Sequence, residues 1–129
     1  MTKNKKRGYI TIKIGGKNRT LHFSMNFWAE FTDQSGVGIE QIGEVFQKGF
    51  SLAQLRALVY SGLVAYDSEN NIPVDYNVFK VGMWLDEISS DDITKVINTM
   101  SESKVLGVDL NNELRQPEKK NNPNPNRNQ

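Results

Sequence analysis

The chain of 129 residues lacks cysteine altogether and contains a single histidine, His22. Without cysteine it can form neither disulfides nor thiolate metal sites, and it is compatible with a reducing compartment. With one histidine, metal binding would depend mainly on carboxylates, and a histidine-based triad has no sign of a positioned serine partner. A lone histidine within a strand is typical of a structural or surface residue.

Long apolar runs are also missing. Ile10, Ile12 and Ile14 alternate with polar residues after the basic N-terminus, so the continuous apolar segment of a secretion signal, ~7–15 residues long, is not present. No run approaches the ~20 apolar residues of a membrane-spanning helix. The sequence therefore predicts a protein that stays in the cytosol of the cell that makes it, away from membranes.

The spacing of the glycines excludes a phosphate-binding loop. Gly16-Lys17 is the dipeptide of such a loop, but the earlier glycine of the motif would fall on Thr11. Asn18 stands where a serine or threonine would bind magnesium. We therefore expect a simple hairpin turn at this position.

Acidic residues offer two further candidates for a site, and neither has the required pattern. Asp67, Glu69 and Asn71 alternate as in a calcium loop, yet Ile72 occupies the glycine position and Val78 the bidentate glutamate position. Candidates for paired catalytic carboxylates are Asp86, Glu87, Asp91 and Asp92. These straddle a predicted helix junction, where a solvated face and the helix dipole account for them. We predict no catalytic site, no metal, no cofactor and no enzymatic activity.

The charges are segregated along the chain. Residues 1–29 carry seven Lys or Arg and no acid, whereas residues 30–110 carry thirteen acids and five bases. A basic head is commonly a solvated arm, but it also permits a small nucleic-acid-binding module. That alternative would use Lys3, Lys5, Lys6, Arg7, Lys13, Lys17 and Arg19, with Tyr9 or Trp28 to stack on bases. The acidic body makes nucleic acid the less favoured partner.

The pattern of apolar residues predicts an α+β fold, with an N-terminal β-hairpin packed on a bundle of about five helices. Residues 9–14 and 19–23 alternate as strands around Gly15-Gly16, which supplies the positive φ of a tight turn. Capping serines, glycines and Pro73 delimit the helices, which we predict at residues 25–34, 38–48, 51–66, 75–88 and from the cap Ser89-Ser90 onward. We expect a disordered arm at 1–8, one globular domain at 9–104, and a loosely packed, then disordered tail at 105–129.

The helix predicted at residues 51–66 is apolar or small on nearly all sides. One face carries Leu52, Leu55, Leu58, Val59, Leu63 and Tyr66, and the other carries Ala53, Ala57, Ser61 and Ala65. Arg56 is its only charged residue. Such a helix belongs inside a fold, and Ser51 can cap its start. We therefore predict a central helix that is covered on both sides.

The helix predicted at residues 75–88 has more apolar surface than one core contact uses. Val78, Val81, Leu85 and Ile88 form a stripe that we assign to the central helix. A second stripe contains Tyr76, Phe79 and Met83, with Trp84 apart from both. The hairpin face formed by Ile10, Ile12, Leu21 and Phe23 could cover this stripe. Alternatively, part of it is open and binds a partner or a second copy, so Tyr76, Phe79, Met83 and Trp84 are our candidate partner-binding residues.

The order of these elements resembles the tail assembly chaperones of long-tailed bacteriophages over about residues 8–104. The resemblance is carried by Gly15-Gly16-Lys17 with Leu21 and Phe23, by residues 26–31, and by Leu55-Arg56-Ala57-Leu58 with Tyr60 and Gly62-Leu63. It implies a non-enzymatic protein of the host cytoplasm, absent from the mature virion. The implied partners are the tape measure protein, which such chaperones coat and keep soluble, and tail tube subunits. A structural tail or connector protein is the further alternative.

The resemblance also directs attention to Lys119-Lys120-Asn121. Many such chaperones have a longer form made by a programmed ribosomal frameshift, and these three residues can be encoded by A-AAA-AAC, on which a ribosome can slip back by one base. A shift there would replace the last nine residues, 121–129, with an extension. An AAG codon at Lys120 would exclude this site.

Overall fold

The computed structural model describes residues 8–105 and 108–109 of the chain. The predicted arm, apart from Gly8, and the predicted tail from residue 110 onward lie outside the described residues. The chain begins with a β-hairpin and continues with five α-helices, as the sequence predicted. In chain order the elements are β1 (Tyr9–Ile14), β2 (Lys17–His22), α1 (Met25–Ser35), a 3₁₀ turn (Ile39–Gln41), α2 (Ile42–Lys48), α3 (Leu52–Glu69), α4 (Val78–Leu85), α5 (Ser90–Ser101), β3 (Lys104–Val105) and β4 (Val108–Asp109).

The N-terminal hairpin turns at Gly15-Gly16 as predicted, but its second strand begins at Lys17 rather than at residue 19 and ends at His22 rather than at residue 23. β1 and β2 pair antiparallel, with Tyr9 opposite His22 and Ile14 opposite Lys17. Gly15 and Gly16 between them have φ of 64° and 86°, a conformation that glycine adopts without steric cost. This register places Ile12, Ile14 and Leu21 on the same face of the hairpin, and all three are buried in the core.

Helix α3 is the central helix, covered by α1, β2 and α4. A capping box fixes its start, since Ser51 Oγ accepts from the Gln54 N–H at 3.0 Å and Gln54 Oε1 accepts from the Ser51 N–H at 2.9 Å. Its buried residues are Ala57, Leu58, Val59, Ser61, Gly62, Leu63 and Ala65. Gly62 lets β2 approach closely, because a Cβ there would lie 2.8 Å from Leu21 Cδ2.

Two predictions about α3 are wrong. Leu52, assigned to the core face, is 84% exposed, because as the first residue of α3 it lines an open groove beside α4. The helix also continues to Glu69, so residues 67–69, predicted as a loop, form its last turn. That turn is held in place because the Glu69 carboxylate is hydrogen-bonded to residues of β2 and α1.

Helix α1 begins and ends as predicted, within one residue. Phe27, Trp28 and Phe31 are buried and form an aromatic cluster, with the Phe27 and Trp28 rings edge-on at 4.7 Å between centroids. Gly36 ends the helix at φ 76°. Ser24 occupies the N-cap position with extended backbone, but it makes no side-chain cap bond; its hydroxyl donates to Glu69 instead, at 2.6 Å.

The remaining helices differ from prediction at their ends. The helix predicted at residues 38–48 is a 3₁₀ turn at Ile39–Gln41 followed by α2, which Gly49 ends at φ 93°. The side chains of Ile39 and Phe46 lie outside the described part. Helix α4 starts at Val78 rather than at residue 75, because Asn77 Oδ1 accepts from the Lys80 N–H at 2.8 Å and caps it there. It ends at Leu85, three residues earlier than predicted. Helix α5 starts after the predicted cap, Ser89.

Candidate partner-binding surface

Of the four predicted partner-binding residues, Tyr76 lies inside the fold. It is 8% exposed, its hydroxyl donates to Asp67 Oδ2 at 2.6 Å, and its ring meets Tyr60 edge-on. Burial, together with the hydrogen bond to the Asp67 carboxylate, strongly raises the pKa of Tyr76. Because the chain is extended before α4, Tyr76 reaches the core and cannot anchor a partner in this fold.

Trp84 is half-buried against the hairpin turn. A Cβ on Gly15 would lie 2.6 Å from its ring, and the Arg19 guanidinium lies 4.2 Å from the ring centroid. Arg19 Nε also donates to the Ile14 carbonyl at 2.9 Å. The Arg19 guanidinium also lies 5.7 Å from the centroid of the Tyr76 ring. The hairpin therefore contacts Tyr76 through Arg19, and Trp84 through Arg19 and the turn.

Phe79 and Met83 are open to solvent, as one of the two sequence hypotheses proposed for part of the stripe. Their side chains are 67% and 64% exposed, and they lie one turn apart on α4. With Leu52, they are the three most exposed large apolar residues in the described part of the chain. The candidate surface is therefore built from Leu52, Phe79 and Met83, of which sequence reasoning missed Leu52.

These three residues surround a groove of about 570 Å³ between the start of α3 and α4, which we name the α3/α4 groove. Its lining comprises Leu52, Ala53, Leu55, Arg56, Phe79, Gly82, Met83, Leu85 and Asp86. A neighbouring groove of about 470 Å³ lies between the hairpin turn and the start of α5. Met83 and Trp84 line that second groove as well, so Met83 stands between two concave surfaces.

Arg56 is the second contributor that the functional predictions missed. Its guanidinium lies 5.1 Å from the centroid of the Phe79 ring, and its stem passes over Gly82, where a Cβ would be 3.1 Å from Arg56 Cδ. The signal that could have found it was present, since Arg56 is the only charged residue in the predicted central helix.

The two aromatic residues that the nucleic-acid alternative would use for stacking pack against other parts of the fold. Trp28 is fully buried, and the Tyr9 ring is stacked on His22 with centroids 3.8 Å apart. Arg19 is engaged with Trp84. Lys13 and Lys17 are exposed on the hairpin, whereas Lys3, Lys5, Lys6 and Arg7 lie outside the described residues.

His22 belongs to a polar cluster that joins three elements. Its Nδ1 is hydrogen-bonded to Glu69 Oε1 at 2.6 Å, and Glu69 Oε2 accepts from Ser24 Oγ at 2.6 Å and Asn26 Nδ2 at 2.9 Å. Burial opposes ionisation of Glu69, but these hydrogen bonds outweigh it and lower its pKa. Since Ser24 donates to the carboxylate and not to His22, the arrangement is a clamp between β2, α1 and α3.

The acidic candidates are spread over the ends of two helices. Asp86 follows α4 as its C-cap, and Asp91 and Asp92 lie in the first turn of α5. Lys95 is 4.0 Å from Asp92. In the described part of the chain, no three His, Asp or Glu residues are grouped as a metal ion would require.

Comparison of the chain with protein-family models, with curated proteins and with solved structures found no match. None of the described helices is both long and apolar enough to cross a membrane.

Proposed function

We propose that this protein is a bacteriophage tail assembly chaperone that binds the tape measure protein, keeps it soluble and helps recruit tail tube subunits. The observation that carries the proposal is the exposure of Leu52, Phe79 and Met83 around one groove, at 84%, 67% and 64%. An exposed apolar patch of this kind on a folded domain marks an interaction site. The protein would act without catalysis, in the host cytoplasm, and would leave before the virion is complete.

The types of residue in the groove suit an apolar client of variable sequence. Methionine adapts its shape to different partners, and an aromatic ring provides a large rigid contact. Burying one such side chain contributes about 1.5–3 kcal/mol, while association costs about 4–15 kcal/mol in lost freedom of motion. Three side chains therefore support only weak binding for each copy, so a long client would be protected by many copies along its length.

The proposal predicts a tape measure gene beside this one, and the test is the solubility of that gene's product, expressed with and without this chain. We expect it to be soluble with the wild-type chain and to aggregate with the triple variant Leu52→Ser, Phe79→Ser, Met83→Ser. The triple variant should keep its thermal midpoint, because the three side chains contribute little to the core. A tape measure protein that is equally insoluble with the wild-type chain would overturn the proposal.

The chain offers a matched control for this experiment. Met25, Ile72 and Val74 are exposed apolar residues that do not line the groove, at 48%, 43% and 38%. Their replacement by serine should leave the client soluble.

Mass spectrometry of purified virions tests the remaining alternative. A structural tail or connector protein would be present in the virions, and a chaperone would be absent.

A further inference from the structure

We propose that the α3/α4 groove recognises an amphipathic helix that carries a carboxylate among its apolar residues, and that Arg56 is the partner of that carboxylate. The inference rests on the proposed function and specifies the chemistry of the client segment. Its basis is the state of the Arg56 side chain, which is half-buried in the groove wall and has no counter-ion among the described residues.

Arg56 forms no hydrogen bond or ion pair with any residue that the structure describes. Its Nε is buried and unpaired, and it is the only charged atom among the three such side-chain atoms found in the described residues, with Trp28 Nε1 and Ser61 Oγ. Arg56 packs against the Phe79 ring and the Gly82 backbone. A guanidinium has five donors, and a buried charged donor without a partner is costly.

The contact with Phe79 does not explain why an arginine occupies this position. A cation–π contact at a partly exposed site is worth about 0.5–1 kcal/mol, and an apolar side chain of the same length would cover Gly82 without burying a charge. A carboxylate brought by a partner would instead receive two parallel N–H bonds from the guanidinium. The bound helix would exclude water from both groups, so the contact would also select the partner.

Charge complementarity favours an acidic helix over a basic one. Asp86 also lines the groove, but it is exposed, so its field is screened by solvent. Arg56 is withdrawn from solvent at Nε, and its field is screened less. A helix is the occupant that fits, because Phe79 and Met83 are spaced one turn apart and can interlock with apolar residues at i, i+3 and i+4.

Gly82 positions the arginine. A Cβ there would be 3.1 Å from Arg56 Cδ, so in the Gly82→Ala variant the arginine stem should move away from α4 by a few tenths of an ångström. We expect this variant to remain folded, because alanine favours the helix by about 1 kcal/mol, and to show a reduced preference for the acidic peptides described next.

The experiment uses the full-length chain and three synthetic amphipathic peptides of about 20 residues, long enough for stable helical turns. They have one leucine face and differ at one position in that face, which is Glu, Gln or Lys. We expect wild-type protein to bind the Glu peptide about tenfold more tightly than the Gln peptide, the effect of a hydrogen-bonded charge pair. Arg56→Gln should remove this preference, and Arg56→Glu should bind the Lys peptide most tightly.

The matched control is Lys80→Gln, which removes a charge from an exposed position of α4 that does not line the groove. This variant should keep the preference for the Glu peptide.

Three results would overturn the inference. Wild-type protein could bind the Glu and Gln peptides equally, it could bind no peptide, or Arg56→Gln could show the wild-type preference. Light scattering gives a further outcome against the inference. If the wild-type protein is a dimer and Phe79→Ser makes it a monomer, a second copy of the chain occupies the groove. The tape measure solubility test is independent of these readouts, so either proposal can fail alone.

Discussion

At the scale of single residues, the Glu69 carboxylate holds the end of α3 against the hairpin and α1. It accepts hydrogen bonds from His22, Ser24 and Asn26, although its side chain is 23% exposed. We expect Glu69→Gln to destabilise the protein by about 1 kcal/mol at neutral pH, at the low end for bonds to a charged group because solvent competes. The Glu87→Gln variant, at an exposed position outside the clamp, should have no measurable effect.

The pH dependence of this clamp has a defined sign. Hydrogen bonding lowers the pKa of Glu69 in the folded protein below its usual value of 4.5, so the folded state favours the ionised form. The contribution of Glu69 to the free energy of unfolding is complete above the usual carboxyl pKa, and it is lost as the pH falls through the lowered pKa. Urea titrations at pH 7 and at acid pH should therefore show the difference between wild type and Glu69→Gln shrinking on acidification. A difference that grows as the pH falls would contradict the assignment.

Tyr76 supports a second prediction about a single residue. Its hydroxyl is the donor to the partly buried Asp67 carboxylate, so Tyr76→Phe leaves that carboxylate without this bond. We expect a loss of about 1–2 kcal/mol, measured as a shift in the urea midpoint. Tyr60→Phe is the control, because the Tyr60 ring packs on Tyr76 but its hydroxyl makes no hydrogen bond with a described residue. Equal effects of the two variants would mean that the hydrogen bond contributes nothing.

At the scale of elements, the contact between α3 and β2 depends on Gly62. Alanine would favour the helix by about 1 kcal/mol, but its Cβ would lie 2.8 Å and 3.0 Å from two atoms of Leu21. Overpacking of this kind costs about 1–3 kcal/mol, so we expect Gly62→Ala to lower the thermal midpoint. Gly43→Ala in α2 should be neutral or stabilising, because nothing lies within 4 Å of that Cβ. A stabilised Gly62→Ala variant would show that β2 moves to accommodate it.

Local chemistry determined which elements could be predicted from the sequence. The turn at Gly15-Gly16 and the caps at Ser51 and Ser89 are confirmed, because each depends on residues next to one another in the chain. Residues 67–69 were misassigned because their helix is held by a contact between Glu69 and His22, 47 positions apart. Helix α4 was predicted too long because the cap residue, Asn77, lies inside the apolar pattern.

For the candidate surface too, the sequence predicted what depends on local residues. Periodicity placed Phe79 and Met83 on a stripe away from the contact with α3 and left open whether the hairpin covers it; both residues are exposed. It could not tell that Tyr76 turns inward, since that depends on extended backbone before α4 and on Asp67. Periodicity places Leu52 on the apolar face of α3. Its exposure depends on the position of α4, which leaves an open groove beside the start of α3. Contacts outside each helix, which its own periodicity does not contain, decide these outcomes.

At the scale of the whole molecule, the position of the charges distinguishes the proposed chaperone from a nucleic-acid-binding module. The basic residues are concentrated in residues 1–29, and Lys13 and Lys17 are exposed on the hairpin. The α3/α4 groove lies on α3 and α4, in the acidic part of the chain. Binding through the two surfaces should therefore respond differently to salt.

We expect association with the tape measure protein to change by less than about threefold between 0.05 and 0.5 M salt, because salt does not weaken the burial of apolar surface and screens a buried Arg56–carboxylate pair only weakly. A complex with single-stranded DNA that neutralises about four phosphates would weaken by about 600-fold over the same range. Fluorescence anisotropy with labelled single-stranded DNA and with a labelled tape measure fragment measures both. Tight DNA binding that disappears with salt, together with no binding of the fragment at either concentration, would favour the nucleic-acid module over the chaperone.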